Sequence, residues 1–369
     1  MSKNLSYYFL CIPPLFYLNI FGYNNIGSIL SLVGLTIAII FYFPFNLSLN
    51  QKKITLLFFI FIFIFIFYLF SNNILLNPQL NAFSGTYWWI YLFISILIFS
   101  PPPKRLLEKL SHCTIITSIF ILLLDCYYRF FINTIEKNDI GRYAYKFGLI
   151  DMDSNFSGIY ASLIFFYCLF LRKVCYKYTL IYMIVLYMLV LSSLSLAAIS
   201  ITTILFIYFR LSKKIKIYLL PIGIFCMILS SSFIIHMIEM DGSGSTKINF
   251  IKRGFEMLIS RDIFTTLFGT GLFSVKLNGY DPHIVILQLL LQLGLIGFIL
   301  YYLIQFILII NYKRILIYVV LPFFLIGLSV ASISSPIFTT IIILLYYQSF
   351  YIQNDDSKFH VPYRELINN

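Results

Sequence analysis

Charged side chains are scarce in this chain. Lys, Arg, Asp and Glu make up 11% of its 369 residues, whereas about a quarter of the residues in an ordinary soluble domain are charged. Hydrophobic residues make up 60%, and apolar runs of about 20 residues, the length of a membrane-spanning helix, recur along the whole chain. The runs are continuous, which excludes the alternating pattern of a transmembrane β-barrel. The sequence therefore predicts an all-α, polytopic integral membrane protein.

Other features of the sequence argue against disulfides, metal sites and nucleic-acid binding. The six cysteines lie in or beside apolar runs and include no C-x-x-C pair, so neither a disulfide framework nor a zinc site is predicted. The segment 151–155 lacks the pattern of a calcium loop, because Phe156 stands where that loop needs glycine. The net charge of +12 is typical of basic cytoplasmic loops and does not indicate nucleic-acid binding. We expect no cofactor and no metal.

The apolar runs predict about twelve transmembrane helices in one domain, residues 1–352, followed by a cytoplasmic tail, 353–369. A large outer, periplasmic loop, 236–282, precedes the tenth helix. The predicted helices are 6–22, 27–48, 54–71, 86–100, 113–132, 156–171, 179–193, 195–210, 217–235, 284–310, 316–330 and 337–352.

Basic residues orient these helices, because short cytoplasmic loops are enriched in Lys and Arg. Basic pairs such as Lys52-Lys53 and Lys213-Lys214 fall on alternate sides of successive hairpins, which places both termini in the cytoplasm. The stretch 180–210 has two interpretations. Two short helices with a turn near 192–195 preserve this topology, whereas one long tilted helix would invert everything that follows. Trp88 and Trp89 are expected at the outer membrane interface.

His283 is the strongest candidate for a catalytic base. Asp281 is a good helix N-cap and Pro282 is favoured at the first helical position. His283 then lies in the first turn, where the helix dipole disfavours a protonated imidazole. A neutral imidazole can accept a proton. The alternative is an interfacial histidine that only reaches water, and His236 is a rival on the same side.

Arginines in the two large outer loops are candidate phosphate ligands. Arg142, Arg253 and Arg261 lie where the positive-inside rule gives no reason for them. The guanidinium fork matches phosphate oxygens, so a group of arginines would suit a diphosphate-bearing substrate. Solvated loop charges or cations that hold lipid headgroups are the alternatives. Arg129, near the outer end of the fifth helix, is a further candidate.

Weaker candidates for substrate binding flank these groups. Gly269-Thr-Gly271 could let the backbone approach an anionic group, although it is more often a turn. Asp153 and Asn155 belong to the polar cap of the sixth helix. Gln292 shares a face of the tenth helix with Gln288, and polar residues in a span usually face the bundle interior.

The order of these residues resembles the O-antigen polymerase and O-antigen ligase superfamily. In that family a Gly-x-Gly in the periplasmic loop precedes a helix that begins with histidine, and a Leu-x-x-Glu-x-Gly-x-x-Gly run follows. The corresponding residues here are Gly269-x-Gly271, Pro282-His283 and Leu289-x-x-Gln292-x-Gly294-x-x-Gly297. The family's His-Asn is His283-Ile284 here, and Ser195-Leu196 replaces its frequent Ser-Arg, which favours a polymerase over a ligase.

The resemblance implies glycosyl transfer at the periplasmic face of the bacterial inner membrane. An undecaprenyl-diphosphate-linked oligosaccharide would be the donor, and a second lipid-linked repeat unit would be the acceptor. His283 would be the base and the arginines would hold the diphosphate. A chain-length regulator and a flippase of the same pathway would be partners, besides membrane lipid. The alternatives are an O-antigen ligase, which transfers polymer to lipid A-core, and a lipid-linked oligosaccharide flippase.

Overall fold

The computed structural model describes residues 7–8, 53–76, 86, 89–92, 95, 101–133, 145–150, 154–173, 176–212, 215, 242–271, 274–275, 284–311, 317–327 and 335–355. Within these ranges the structure is mostly helical and contains no strand. The all-α prediction is confirmed for this part of the chain.

The described residues form eleven α-helices, α1 to α11 in chain order. Two π-helical turns extend them, Tyr128–Ile132 after α2 and Leu289–Leu293 after α8. The α-helices are α1 Lys53–Leu76, α2 Lys104–Tyr127, α3 Ser154–Lys173, α4 Thr179–Ser192, α5 Leu196–Arg210, α6 Gly242–Ile259, α7 Ile263–Phe268, α8 Val285–Gln288, α9 Gly294–Asn311, α10 Ile317–Gly327 and α11 Pro336–Asp355.

Three helical stretches in the described residues are long and apolar enough to cross a membrane. They are Lys104–Ile132, Ser154–Arg172 and Val285–Ile307. The helices α4, α5, α10 and α11 and most of α1 contribute shorter apolar stretches. The chain therefore has candidate membrane-spanning helices, as predicted. The total of twelve spans and the sidedness of each loop stay predictions.

Helix α3 is the centre of the bundle. Nearly all of its side chains are buried, and it packs against α2, α4, α5, α10 and α11. Small residues make this close packing possible. A Cβ at Gly158 would overlap Ala198 and the side chain of Ser193. One turn further on, the hydroxyl groups of Ser162 and Thr202 lie 2.7 Å apart and connect α3 to α5.

The stretch 180–210 forms two helices, α4 and α5, joined by a tight turn. Leu194 has a left-handed backbone conformation, φ 55°, and the Ser195 hydroxyl accepts a hydrogen bond from the Ala198 N–H at the start of α5. Tyr187 lies five residues before the end of α4 and Thr203 seven residues after the start of α5, and their hydroxyl groups share a hydrogen bond of 3.0 Å. The two helices are therefore antiparallel, which confirms the two-helix interpretation. Each is only about 21–23 Å long at 1.5 Å per residue.

Three predicted segments differ most from the structure. The helix predicted over 113–132 begins at Lys104, directly after Pro101–Pro103, because its first turns bury Leu107 and Leu110 although they also carry charges. The loop predicted over 236–282 contains α6 and α7. The helix predicted over 284–310 is broken between Leu289 and Gly294.

The prediction for Trp89 is wrong. Its side chain is buried and packs edge-on against Phe65, with ring centroids 5.0 Å apart, and against Tyr301, with centroids 5.5 Å apart. An indole in such an aromatic cluster contributes to packing between helices and does not face the headgroups. The predicted helices 27–48 and 217–235, Trp88, most of 6–22 and most of the tail lie outside the described residues.

Candidate functional site

The break between α8 and α9 is the most polar feature of a long apolar segment. After α8 the chain forms the π-helical turn Leu289–Leu293, and α9 begins at Gly294 with φ 65°. Both parts belong to the candidate span Val285–Ile307. Backbone carbonyls in a membrane need hydrogen-bond donors from elsewhere in the protein where the regular helix is interrupted.

Among the described residues, four supply those donors, and we call them the break-cap residues: Tyr68, Arg261, Thr270 and Gly271. The Leu291 carbonyl accepts hydrogen bonds from Arg261 Nη1, at 2.7 Å, and from the Thr270 hydroxyl, at 3.2 Å. The Gln292 carbonyl accepts from the N–H groups of Thr270 and Gly271, at 3.1 and 2.9 Å. The Tyr68 hydroxyl lies 2.5 Å from the Leu293 carbonyl and 2.8 Å from the Phe268 carbonyl. Helix α1 and the segment after α6 are therefore both bound to the break.

Two glycines let the backbones meet at this point. Gly269 and Gly294 have φ values of 76° and 65°, a region that other residues rarely adopt. A Cβ on Gly269 would overlap the Gln292 carbonyl, and a Cβ on Gly294 would overlap the backbone at Gly269 and Leu267. The predicted glycine motifs thus form one contact, although they lie more than twenty residues apart. The N–H of Gly271 bonds the Gln292 carbonyl and so does not point to a separate anion site.

The carboxamide of Gln292 has no hydrogen-bond partner among the described residues. It is fully buried, and both its oxygen and its nitrogen lack a partner there. The same holds for the Gln305 carboxamide and the Tyr301 hydroxyl, which lie four residues apart on α9 and therefore on one side of that helix. Buried polar side chains in a span usually face a cavity or another polar group. Gln292 is therefore still a candidate for substrate binding.

The two described arginine candidates from the large outer loops have different environments. Arg261 is half-buried beside the break, and Nη2 lies 3.7 Å from Met257 Sδ. Desolvation lowers the pKa of Arg261, while the nearby Asp262 carboxylate raises it. Arg253 is exposed on α6. Arg142, Asp153 and His283 lie outside the described residues, so their roles stay predictions.

A second polar cluster, which we call the Asp125 network, holds α2, α3 and α4 together. Asp125 and Arg129 form a buried ion pair of 2.9 Å, Nε to Oδ2. The carboxylate also accepts hydrogen bonds from Ser157 Oγ, at 2.8 Å, and from the N–H groups of Leu149 and Ile150, at 2.7 and 3.1 Å. Arg129 Nη1 donates to the Ser192 carbonyl at 2.9 Å, at the end of α4.

The Asp125 network gives Arg129 a described structural role. Its guanidinium bonds a carboxylate and a helix-end carbonyl, as a buried cation must in order to offset its desolvation. Asn155, two residues before Ser157 in the first turn of α3, is also largely buried. Its predicted role in substrate binding is not tested by these contacts.

Of these structural features, only the Asp125–Arg129 pair could have been recognised from the sequence. Two opposite charges four residues apart in an apolar run, Asp125 and Arg129, predict a pair on one helix face. Nothing in the sequence distinguished Tyr68 from the other 28 tyrosines. The local sequence also did not indicate that the Gly269 backbone contacts Gln292 and Gly294, because these residues belong to a different helical segment.

Comparisons with known proteins add no identification. The chain matches no protein-family model and no curated protein.

Proposed function

We propose that this protein is a polymerase of lipid-linked surface-polysaccharide repeat units, which joins them by glycosyl transfer at the outer face of the inner membrane. The donor is an oligosaccharide on undecaprenyl diphosphate, and the acceptor is a sugar hydroxyl on a second lipid-linked unit. The bond from the donor sugar to diphosphate breaks as the new glycosidic bond forms, and the acceptor proton passes to a base.

One observation supports this proposal beyond the sequence resemblance. Gly269, Gly271, Gln292 and Gly294, which carry the resemblance, contact one another at the helix break. Arg261, a proposed phosphate ligand, bonds the same break. Residues that lie in separate sequence motifs thus belong to one structural unit. In the sequence, Gly269 and Gly271 precede the segment that contains His283, and Gln292 and Gly294 follow it.

The proposed chemistry needs a base and a group of cations. The leaving diphosphate carries negative charge, which the fixed donors of Arg142, Arg253 and Arg261 can stabilise without a metal. The acceptor hydroxyl loses its proton to His283 as it attacks. Membrane-embedded helices keep the polyisoprenoid tail of the substrate in lipid.

The test replaces His283 in a strain whose own copy of the gene has been deleted. Loss of a general base typically lowers a rate by about 10²- to 10⁴-fold. We therefore expect His283→Ala cells to display single repeat units in place of long glycan on a gel of surface polysaccharide. His360→Ala, which changes a histidine of the tail, is the matched control and should keep the long glycan.

Two outcomes would contradict the proposal. Long glycan in His283→Ala cells would show that this imidazole is not the base. Full-length polymer that stays on the lipid carrier in the deletion strain would identify a ligase. Arg253→Lys keeps the charge but removes the guanidinium fork, so an unchanged chain-length distribution would exclude bidentate phosphate binding at that position.

A transport function is the second candidate, and the helix break favours it. Interrupted helices and buried polar side chains such as Gln292 and Gln305 are typical of substrate sites in transporters. Deletion would then leave lipid-linked repeat units on the cytoplasmic face of the membrane. For a polymerase, those units accumulate on the outer face, where added glycosidases can reach them.

A further inference from the structure

Helix α6 has one side packed against the protein. Phe250 and Gly254 are buried, and a Cβ on Gly254 would overlap the Leu287 side chain. Phe250 and Leu287 belong to one small hydrophobic cluster, with Met257 packed against it. Just beyond the end of α6, Arg261 bonds the Leu291 carbonyl. The helix is therefore docked along the start of the candidate span Val285–Ile307.

A second side of α6 is apolar but exposed, and we call it the exposed stripe. Ile251, Phe255 and Ile259 are 41%, 56% and 83% exposed. They lie four residues apart and so form one line along the helix. Ile263 and Phe264 are also exposed at the start of α7. A contiguous apolar surface of this kind indicates a site that contacts a partner or a membrane.

The third side of α6 is polar. Asn249, Lys252, Arg253 and Glu256 are exposed, and the helical repeat places them on the opposite side from Leu258. Three sides, one on protein, one apolar and one polar, are the pattern of a helix that lies in a membrane surface beside a transmembrane bundle. A helix surrounded by water would leave the exposed stripe without a contact.

The docking site places α6 beside the start of the described candidate span. Leu287, whose side chain lies against Gly254, and Leu291, whose carbonyl bonds Arg261, lie near the beginning of Val285–Ile307. Helices in the membrane interface lie with their apolar face at the boundary between headgroups and acyl chains. A helix docked at one end of a span lies near this boundary, where lipid covers the exposed stripe.

We infer that α6 is an interfacial helix whose exposed stripe contacts the acyl chains of one lipid monolayer. Lys252 and Arg253, on the polar side, lie level with the lipid phosphates, to which long basic side chains extend from such a depth. This contact does not depend on the proposed polymerase activity. It follows from the docking of α6 on the candidate span.

Photocrosslinking of the full-length chain in vesicles of phosphatidylethanolamine and phosphatidylglycerol tests the inference. The photoreactive residue benzoylphenylalanine replaces Phe255 or Ile259 in the exposed stripe, and Asn249 or Glu256 as matched controls on the polar side. All four side chains are exposed, so the bulky ring fits without disturbing the core. Illumination should give phospholipid adducts at 255 and 259, at least several-fold more than at 249 and 256.

Three results would overturn the inference. Crosslinked dimers at 255 and 259 would show that a second copy of the chain covers the exposed stripe. Adducts within the same chain would show that another of its own segments does so. Equal lipid adducts at all four positions would show that α6 has no membrane-facing side.

Hydroxyl-radical labelling of the unmodified protein in the same vesicles gives an independent measurement. Phe255 should stay unoxidised although its ring is more than half exposed in the isolated chain. Oxidation of Phe255 at the rate of a water-facing ring would contradict the inference even if a substituted protein failed to fold.

Discussion

Single residues hold this bundle together through buried polar contacts. The Asp125 carboxylate is the acceptor for four donors from three parts of the chain. Each donor removes part of the desolvation penalty that an ionised group carries in a low-dielectric interior. The cluster fixes the segment 145–150 against the ends of α2 and α3, and it lies beside the start of a predicted outer loop.

Replacement of Asp125 by Asn should destabilise the protein strongly. The amide oxygen can still accept from Leu149 and Ile150, but Arg129 becomes a buried cation without a counter-charge. Breaking a buried pair in this way costs about 3–5 kcal/mol. Ser157→Ala, which removes one hydrogen bond to the same carboxylate, should cost about 1 kcal/mol. Thermal unfolding in detergent measures both, and a smaller loss for Asp125→Asn than for Ser157→Ala would contradict the expected order.

Gly269→Ala and Gly294→Ala should each disrupt the helix break. Alanine at these positive φ values is strained by about 1–3 kcal/mol, and its Cβ would also overlap backbone atoms that cannot move independently. Gly254→Ala is the matched control, because the atoms nearest to its Cβ belong to the rotatable Leu287 side chain and not to the backbone. We expect lower melting temperatures for the first two variants than for the control. Equal melting temperatures would show that the backbones at the break can separate without cost.

Helices and connecting segments of this protein are held together by hydrogen bonds to backbone carbonyl groups as well as by side-chain packing. The break between α8 and α9 leaves acceptors that the break-cap residues bind, and these residues come from α1 and from the segments on either side of α7. The interruption in one helix therefore determines where two other elements attach. A regular helix would offer no such attachment, because its own N–H groups occupy its carbonyls.

Tyr68→Phe should loosen α7 from the break without unfolding the bundle. The substitution removes the hydroxyl that bonds the Leu293 and Phe268 carbonyls, a contribution of about 1 kcal/mol. Hydrogen exchange at the N–H groups of Thr270 and Gly271, which bond Gln292, should then be about fivefold faster. Tyr187→Phe, which removes the hydroxyl pair with Thr203, is the control and should leave that exchange unchanged. Equal exchange in both variants would show that Tyr68 does not hold this contact.

At the scale of the whole molecule, the α4–α5 hairpin supports the predicted topology. Because the two helices are antiparallel, the chain enters α4 and leaves α5 at the same end of the hairpin. The described basic residues on both flanks, Arg172 before α4 and Arg210 at the end of α5, are therefore predicted on one side of the membrane, in agreement with the positive-inside rule. The segment that contains α6 and α7 is predicted on the opposite side, after one further span.

Reporter fusions test this topology. Alkaline phosphatase is active only when exported, so a fusion after Ser212 should be inactive and a fusion after Ser260 should be active. A fusion after Tyr178 is the control and should match the one after Ser212. Activity after Ser212 without activity after Ser260 would invert the predicted sidedness. Glycosyl transfer at the outer face would then be excluded, because the candidate site would lie on the cytoplasmic side.

Composition and periodicity alone determined the class of this protein. The scarcity of charge and the length of the apolar runs predicted membrane-spanning helices, because a bilayer constrains every span in the same way, whatever its partners are. The basic flanks of 180–210 favoured two helices over one, and the structure has two. These properties depend on local sequence, so a local analysis could find them.

Only the tertiary structure decided how the candidate site is assembled. The π-helical turn after Gln288, its contact with Gly269 and the donor from Tyr68 depend on residues that are far apart in the chain. The burial of Trp89 in an aromatic cluster and the docking of α6 on Leu287 are of the same kind. A backbone carbonyl has no sequence signature, and which group satisfies it is known only once the helices are packed.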